Sequence, residues 1–411
     1  NADCVIFALD RVMNPDFEYY STTCAASVGS FLANIESYAK VDDYTITIDT
    51  VQDNNAYLLY DLPYIMIPSM EAVKEKGDGF ADAPVGSGPF RFVSKIAGQE
   101  LVMERNENYW GNVPQIKTLI LKPISDASAR LAALQSGEVD WAEVVPVESL
   151  ESLKSQGYQV KLNDYPHAWL YIMNTESGPF ADARVRQAFS MSIDREGLCN
   201  DILQGVGTPL AQLMYPGSPW YAEGVEEYTY NPERAKELLA EAGYPDGFYL
   251  RIDARSDSDM NADQVSQAIA SYLEKVGIKA EVNLLPRASF YEKIDAENLQ
   301  SSFFMSGWGD GSGEGMVIFN DMLYTYDGKA GMGEGNRGHY SNAEVDALLD
   351  QASVETDQAK RAALVEQVDQ IARDEAAYIP LFFKENIFGV RTGIQYTPSA
   401  DDHILAWDFT F

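Results

Sequence analysis

A chain of 411 residues with 63 acidic and 30 basic side chains carries a formal net charge of −33, which repels phosphate backbones and anionic headgroups and excludes a nucleic-acid partner. Hydrophobic residues at 46% and aromatics at 12% suffice for packed cores, so disorder is excluded, and the length calls for two or more domains. No apolar run approaches the ~20 residues that cross a bilayer.

The first clear element signals lie at 117–124, KTLILKPI, a short apolar run of strand type. An Ala/Leu helix follows from Ser125 to Ser136 and stops at Gly137. YQVKLNDY and WLYIMN then read as strands. In the segment from Asn174 to Arg195, Asp182 stands where a helix N-cap would accept free amides, and Val185, Ala188, Phe189 and Ile193 recur behind it at helical spacing. Arg186, Asp194 and Arg195 read as a capping and packing network around that helix. In YNPERAKELLAEAGYPDGF at 230–248, an Asn-Pro start and an AGY ending bracket another helix. A helix pattern from Asp263 to Val276 ends at Gly277, and IKAEVNLL alternates as a half-buried strand. FFMSGW reads as a strand leading into the glycine-rich GWGDGSGEG at 307–315, and a last helix is expected from Asp357 to Asp374. The alternation of helices and strands predicts an α/β architecture, with no internal repeat and no low-complexity linker.

Signatures of catalysis are missing from the sequence. His167, His339 and His403 stand alone, without metal-ligand spacing. There is no Gly-x-Ser-x-Gly elbow, Walker loop or dinucleotide fingerprint. Among 63 carboxylates chance pairs are expected, so a two-carboxylate cleft hydrolase of the glycosidase kind stands only as the alternative from a different class. Asp310, Ser312, Glu314, Gly315 and Asp321 fall in an EF-hand-like register, but such a loop needs an entering helix where FFMSGW reads as strand. Neither metal nor cofactor is expected. Cys4, Cys24 and Cys199 lack metal-ligand spacing; a Cys4–Cys24 disulfide is open in an oxidising compartment, and the odd count leaves a thiol over.

The residues NTESGPFADARVRQAFSMSIDR, with Asn174, Pro179, Phe180, Asp182, Val185, Arg186, Ala188, Asp194 and Arg195 at the key positions, resemble a segment of the peptide/nickel-type (family 5) extracellular solute-binding proteins that feed bacterial ABC importers. The resemblance extends over almost the whole chain: NADCVIFALDR at 1–11, VGSGPFRF at 85–92, ALQSGEVDWAEVVP at 133–146, the 230–248 segment, GWGDGSGEG, NRGHYSNAEVDALLD at 336–350 and IPLFF at 379–383 fall in the family's order. It implies a two-lobe, periplasmic-binding-protein-like α/β fold of type II, cluster C, with an extra small domain and a hinge. By resemblance, residues 1–84 form the remainder of the small domain, 85–174 part of the first main lobe, 175–386 the second, and 387–411 return to the first. Family members usually carry further sequence ahead of the stretch that opens this chain, so an N-terminal part with some ligand contacts is expected to be missing.

The family's ligand lies between the lobes. Its peptide-binding members have a Trp and then an Asp in the loop corresponding to GWGDGSGEG, where the carboxylate pairs with the peptide ammonium. That pattern points to Trp308, Gly309, Asp310 and Gly311, although Asp310 comes two positions after the Trp where many relatives have it at three. Arg287 and Tyr291, just beyond the strand ending at Leu285, correspond to a pocket position, and an Arg there could clamp a carboxylate. Tyr165, Trp169 and Tyr171 cluster near the expected lobe crossing, with Trp169 and Tyr171 on one strand face. The implied function is capture of di- or oligopeptides for a membrane permease by a monomer that is periplasmic or extracellular, with a lipid anchor left open. An oligosaccharide, opine, glutathione or nickel complex remains an alternative ligand.

Overall fold

A computed structural model describes the chain except for residues 33, 52–57, 59–61, 164–166, 227, 257–260, 310–314, 329–331 and 400–402. The first strands, β1 (Ile35–Asp42) and β2 (Thr45–Thr50), form an antiparallel hairpin. It lies against the helix Ala2–Met13 around Leu9, Val12, Leu32 and Ile35. Next come β3 (Phe90–Ile96), β4 (Glu100–Arg105) and β5 (Thr118–Leu121), a three-stranded antiparallel sheet. A second sheet of three combines β6 (Trp141–Glu143) and β7 (Gln159–Asn163) with β14 (Asn386–Val390) between them.

The remaining strands build one sheet of six. They are β8 (His167–Met173), β9 (Thr208–Pro209), β10 (Tyr249–Arg255), β11 (Lys279–Leu285), β12 (Phe303–Gly309) and β13 (Ile379–Phe383), in the order β11-β10-β12-β8-β13-β9. Because side chains alternate along a strand, β8 and β12 each feed two cores. Tyr171, Met173, Phe303 and Met305 face the helices Ala183–Ser192, Pro232–Glu241 and Ala262–Glu274. Leu170, Ile172 and Phe304 face the helices Arg287–Lys293, Met316–Leu323, Ala343–Val354 and Gln358–Asp374. The Tyr171 and Phe303 rings stack with centroids 4.4 Å apart.

Local signals placed the helix ends well. Asp126 accepts from the Ala129 amide at 2.7 Å to start the helix Ala127–Ser136, and Gly137 closes it at φ +76°. Asp182 accepts from the Arg184 amide at 2.9 Å, and Asn231 from that of Arg234 at 3.0 Å. The expected network around 186–195 is present. Arg186 donates to the carbonyls of Phe180 at 2.9 Å and Glu375 at 2.6 Å. Arg195 donates to Pro380 O at 2.6 Å and Ser190 Oγ at 2.7 Å, and Asp194 caps the Gly197 amide at 2.9 Å.

The sequence-based division at residue 174 needs correcting. β8 is an inner strand of the six-stranded sheet, paired with β12 and β13, whereas β7 belongs with β6 and β14. The passage between sheets therefore falls between Asn163 and His167, and the return passage between Phe383 and Asn386. No disulfide joins Cys4, Cys24 or Cys199, so the Cys4–Cys24 bridge is not formed.

Candidate functional site

Strands β10, β11 and β12 run parallel and end at one edge of the large sheet, at Arg255, Leu285 and Gly309. The antiparallel β8 begins at that edge, where His167 pairs with Gly309 and Ala168 with Trp308, and β13 ends there with Phe383 opposite Ala168. Both passages to the smaller sheet leave from this edge. In open α/β sheets the crevice beyond the carboxyl ends of the strands is where ligands bind.

Two of the nominated aromatics reach this edge on opposite faces. Trp308 is half-buried and packs with the Phe304 side, where a Cβ at Gly335 would come within 3.2 Å of its ring. Trp169 packs on the Tyr171 side beside His167, with ring centroids 4.9 Å apart and planes at 28°. These two rings lie over Gly307, whose Cβ would fall 2.3 Å from His167 Nε2 and 2.9 Å from the Trp169 ring. The close approach that the glycines of this loop were expected to allow is thus made at Gly307 by protein rings. Gly309 ends β12 half-buried. Asp310, Gly311 and Tyr165 lie outside the described residues. FFMSGW is strand, as expected, so no entering helix precedes the EF-hand-like register.

Arg287 opens the helix Arg287–Lys293 immediately after β11 and lies with its guanidinium centre 5.3 Å from the Tyr291 ring centroid. Arg337, which the sequence reading did not single out, approaches the same ring at 5.4 Å. Its loop is pinned by the buried Asn336, whose amide donates to Tyr324 O at 2.8 Å and Tyr340 O at 2.7 Å. The same loop carries Gly335 against Trp308, so Trp308, Arg337, Tyr291 and Arg287 share one face of the sheet. Nothing local in NRGHYSN marks Arg337; its only signal is the fold of the loop around it. Asp321, on the helix Met316–Leu323, has its carboxyl pushed up to about 6 by burial and, secondly, by the charge of Glu334.

A cavity of about 1590 Å³ opens elsewhere, between β5, β6 and the C-terminal segment, lined by Ile120, Trp141, Ile404, Trp407 and Phe409 among others. None of the nominated residues that are described lines it. Three of its cations are engaged: Arg130 donates to Ile124 O and Val144 O at 2.8 Å, Arg391 pairs with Asp140 at 2.9 Å and Lys122 with Glu138 at 3.0 Å.

Taken together, a large sheet whose carboxyl edge gives off two passages to a smaller α/β unit defines a two-lobe binding protein of the periplasmic type II class. The solved ABC transporter-associated periplasmic binding protein DppA from Helicobacter pylori, in complex with peptide STSA, shares this fold with a TM-score of 0.81, at 22% identity over 99% of this chain and 81% of that one. Residues 1–330 match the family model described as bacterial extracellular solute-binding proteins, family 5 middle, and the chain belongs to that family. Heme-binding protein A of Haemophilus influenzae is 30% identical over 397 residues, 93% of this chain and 71% of that protein. The glutathione-binding protein GsiB of Salmonella typhi is 27% identical over 389 residues, 93% and 73% respectively. No helix among the described residues is long and apolar enough to cross a membrane.

Proposed function

We propose that this solute-binding protein captures short peptides at the carboxyl edge of its large sheet and delivers them, unchanged, to the permease of an ABC importer. The observation that carries the reading is the carboxyl edge of the large sheet, where Trp308 near the end of β12 lies opposite Ala168 beside both chain passages and Arg287 opens the helix that follows β11. An aromatic wall and guanidinium donors suit a ligand with an apolar body and a carboxylate end. The peptide-bound Helicobacter structure of the same fold supports the ligand class.

In this reading, residues 167–383 form one lobe and 85–163 with 386–411 the other, with 1–84 as a small accessory domain. The two passages act as a hinge. Ligand held by both lobes favours the closed form by its differential affinity for that form, and the closed form docks on the permease. The protein works as a monomer outside the cytoplasmic membrane, in the periplasm or tethered to the surface, and performs no turnover.

Native mass spectrometry of the purified protein, followed by identification of what is released on denaturation, tests this. A ladder of short peptides is expected. A single sugar, metal chelate or defined metabolite would overturn the peptide assignment and leave the receptor role standing; conversion of an added substrate would overturn the receptor role itself.

A further inference from the structure

We infer that His339 is a proton-operated latch: with both ring nitrogens protonated it ties the 333–340 loop to two neighbouring segments, and loss of one proton frees the loop that packs on Trp308. The latch stands whatever the solute is; its effect on capture rests on the receptor reading.

The imidazole faces an oxygen at each of its nitrogens. Nδ1 lies 2.9 Å from a carboxylate oxygen of Glu176, in the segment after β8, and Nε2 lies 2.7 Å from the main-chain carbonyl of Ala296, in the turn after the helix Arg287–Lys293. A carbonyl only accepts, so Nε2 carries a hydrogen; an ionised carboxylate only accepts, so Nδ1 carries one as well. Either neutral tautomer would set a ring lone pair against an oxygen lone pair at hydrogen-bond distance. The geometry therefore belongs to the ring with both protons, and imidazole is the side chain that ordinarily gives up the second one near neutral pH. The ring is 19% exposed and stacks on Tyr326, with centroids 5.4 Å apart and planes at 10°.

The latched backbone is not a relaxed one. His339 is left-handed at φ +58°, a region that costs a residue other than glycine, so the surrounding bonds must hold it there. The His339 amide donates to Asn336 O at 3.1 Å, and Thr175 donates to Gly338 O from its amide at 2.8 Å and its hydroxyl at 3.1 Å. Those bonds are indifferent to pH; the two ring bonds are not. At the other end of the loop a Cβ on Gly335 would fall 3.2 Å from the Trp308 ring and 3.0 Å from the Met322 sulfur, so movement of the loop changes the support of Trp308 at the carboxyl edge. The charged groups around the ring come from each packed segment. Glu176 follows β8, and Asp295 and Glu297 flank Ala296. The carboxylates of Glu297, Glu334, Asp295 and Asp327 lie within electrostatic reach of the Tyr326 hydroxyl, and Arg337 stands two residues before His339 on its own loop. In the receptor reading the protein meets the pH of its surroundings, and capture weakens as that pH rises and the ring loses its second proton.

Hydrogen–deuterium exchange of the 333–340 amides, corrected for the intrinsic pH dependence of exchange, tests this from about pH 5 to about pH 9 on the intact chain, Glu176→Gln and His339→Asn. Glutamine at 176 accepts from the charged ring or donates to the neutral one, so its loop stays closed throughout; asparagine at 339 tolerates the left-handed backbone and removes the ring. Protection in the intact chain is expected to fall roughly tenfold across the range, to hold level in Glu176→Gln, and to be low and level in His339→Asn. Nitrogen-15 spectra of the three histidines, with His339 assigned from the His339→Asn chain, should show both of its ring nitrogens protonated at the acid end and one at the alkaline end. Protection that stays level in the intact chain, or that falls equally in Glu176→Gln, would overturn the latch, as would a His339 ring with a single proton at every pH. Calorimetry with trialanine in the same buffers separates the latch from the solute. Affinity that weakens several-fold toward the alkaline end in the intact chain, and not in Glu176→Gln, ties the latch to capture, and affinity level with pH while the loop opens would overturn that tie. A loop that opens with pH in a chain that binds no trialanine keeps the latch and sinks the peptide reading.

Discussion

Two pairs of arginines on the large lobe show how differently one residue type is used. Arg186 and Arg195 are 5% and 3% exposed, and their guanidinium N–H groups are met by main-chain carbonyls and the Ser190 hydroxyl. Arg287 is exposed, Arg337 half-buried, and among the described residues each meets only the Tyr291 ring with its cation. The first pair ties the helix Ala183–Ser192 to the segments around Glu375 and Pro380; the second pair makes no side-chain hydrogen bond among the described residues. A guanidinium whose donors are all spent is a structural tie, whereas one held in place with its donors free is placed for a ligand.

The strongest way to break that contrast is Arg195→Ala. Its removal strands Pro380 O and Ser190 Oγ in the core, and the expected loss is on the order of 3 kcal/mol or more, read as a lowered urea midpoint. A loss below about 1 kcal/mol would mean that water replaces the guanidinium and that the network is no tie at all.

Carboxylates sharpen the same comparison. Asp369, on the helix Gln358–Asp374, is fully buried and neither oxygen has a hydrogen-bond partner among the described residues; burial holds its proton well above the ordinary carboxylate range. Because the folded pKa is raised, the unfolded chain releases this proton at lower pH than the folded one. Stability is then lost as pH rises from the ordinary carboxylate value toward the folded one. Asp369→Leu, apolar and similar in bulk, is expected to gain about 1–3 kcal/mol at pH 7 and clearly less at pH 4, by urea unfolding at both values. An equal effect at both would show that Asp369 does not change its proton on unfolding.

Asp321 gives a smaller effect in a defined window. With its carboxyl pushed up to about 6 by burial and by Glu334, it costs stability as pH rises from about 4 to 6, and nothing further above that. Discounted for its partial exposure, the advantage of Asp321→Asn should grow by about 1–2 kcal/mol across the window and then level off. A flat difference through pH 4–6 would place Asp321 in contact with solvent instead.

Helix ends and strand types were legible because their causes are local. Asp182, Asn231 with Pro232, Gly137 and Gly277 act on amides and carbonyls a few residues away, and the period-2 pattern of β11 needs no partner to be read. What escaped was set by distant pairing. Trp308 opposite Ala168 puts the two tryptophans on opposite faces, and no feature of either segment alone fixes that register. The pairing of β8 with β12 and β13 was hidden for the same reason, since an apolar strand does not name its neighbours. Arg337 joined Arg287 only through the hydrogen bonds that fold Asn336 back onto Tyr324 and Tyr340, a constraint invisible in NRGHYSN.

The smallest effect is the most diagnostic of the contrast between the arginines. Arg287→Ala removes one of two cations from an exposed ring, so a cation–π contact of about 0.5–1 kcal/mol is lost while repulsion from Arg337 is relieved. The two terms oppose, and the unfolding free energy should change by less than about 0.5 kcal/mol. Arg337→Ala should behave alike, because its loop is held by Asn336 and not by the guanidinium. A destabilisation above about 2 kcal/mol for either, measured by urea unfolding without added solute, would make these arginines ties of the same kind as Arg186 and Arg195 and remove the reason to assign their donors to a ligand.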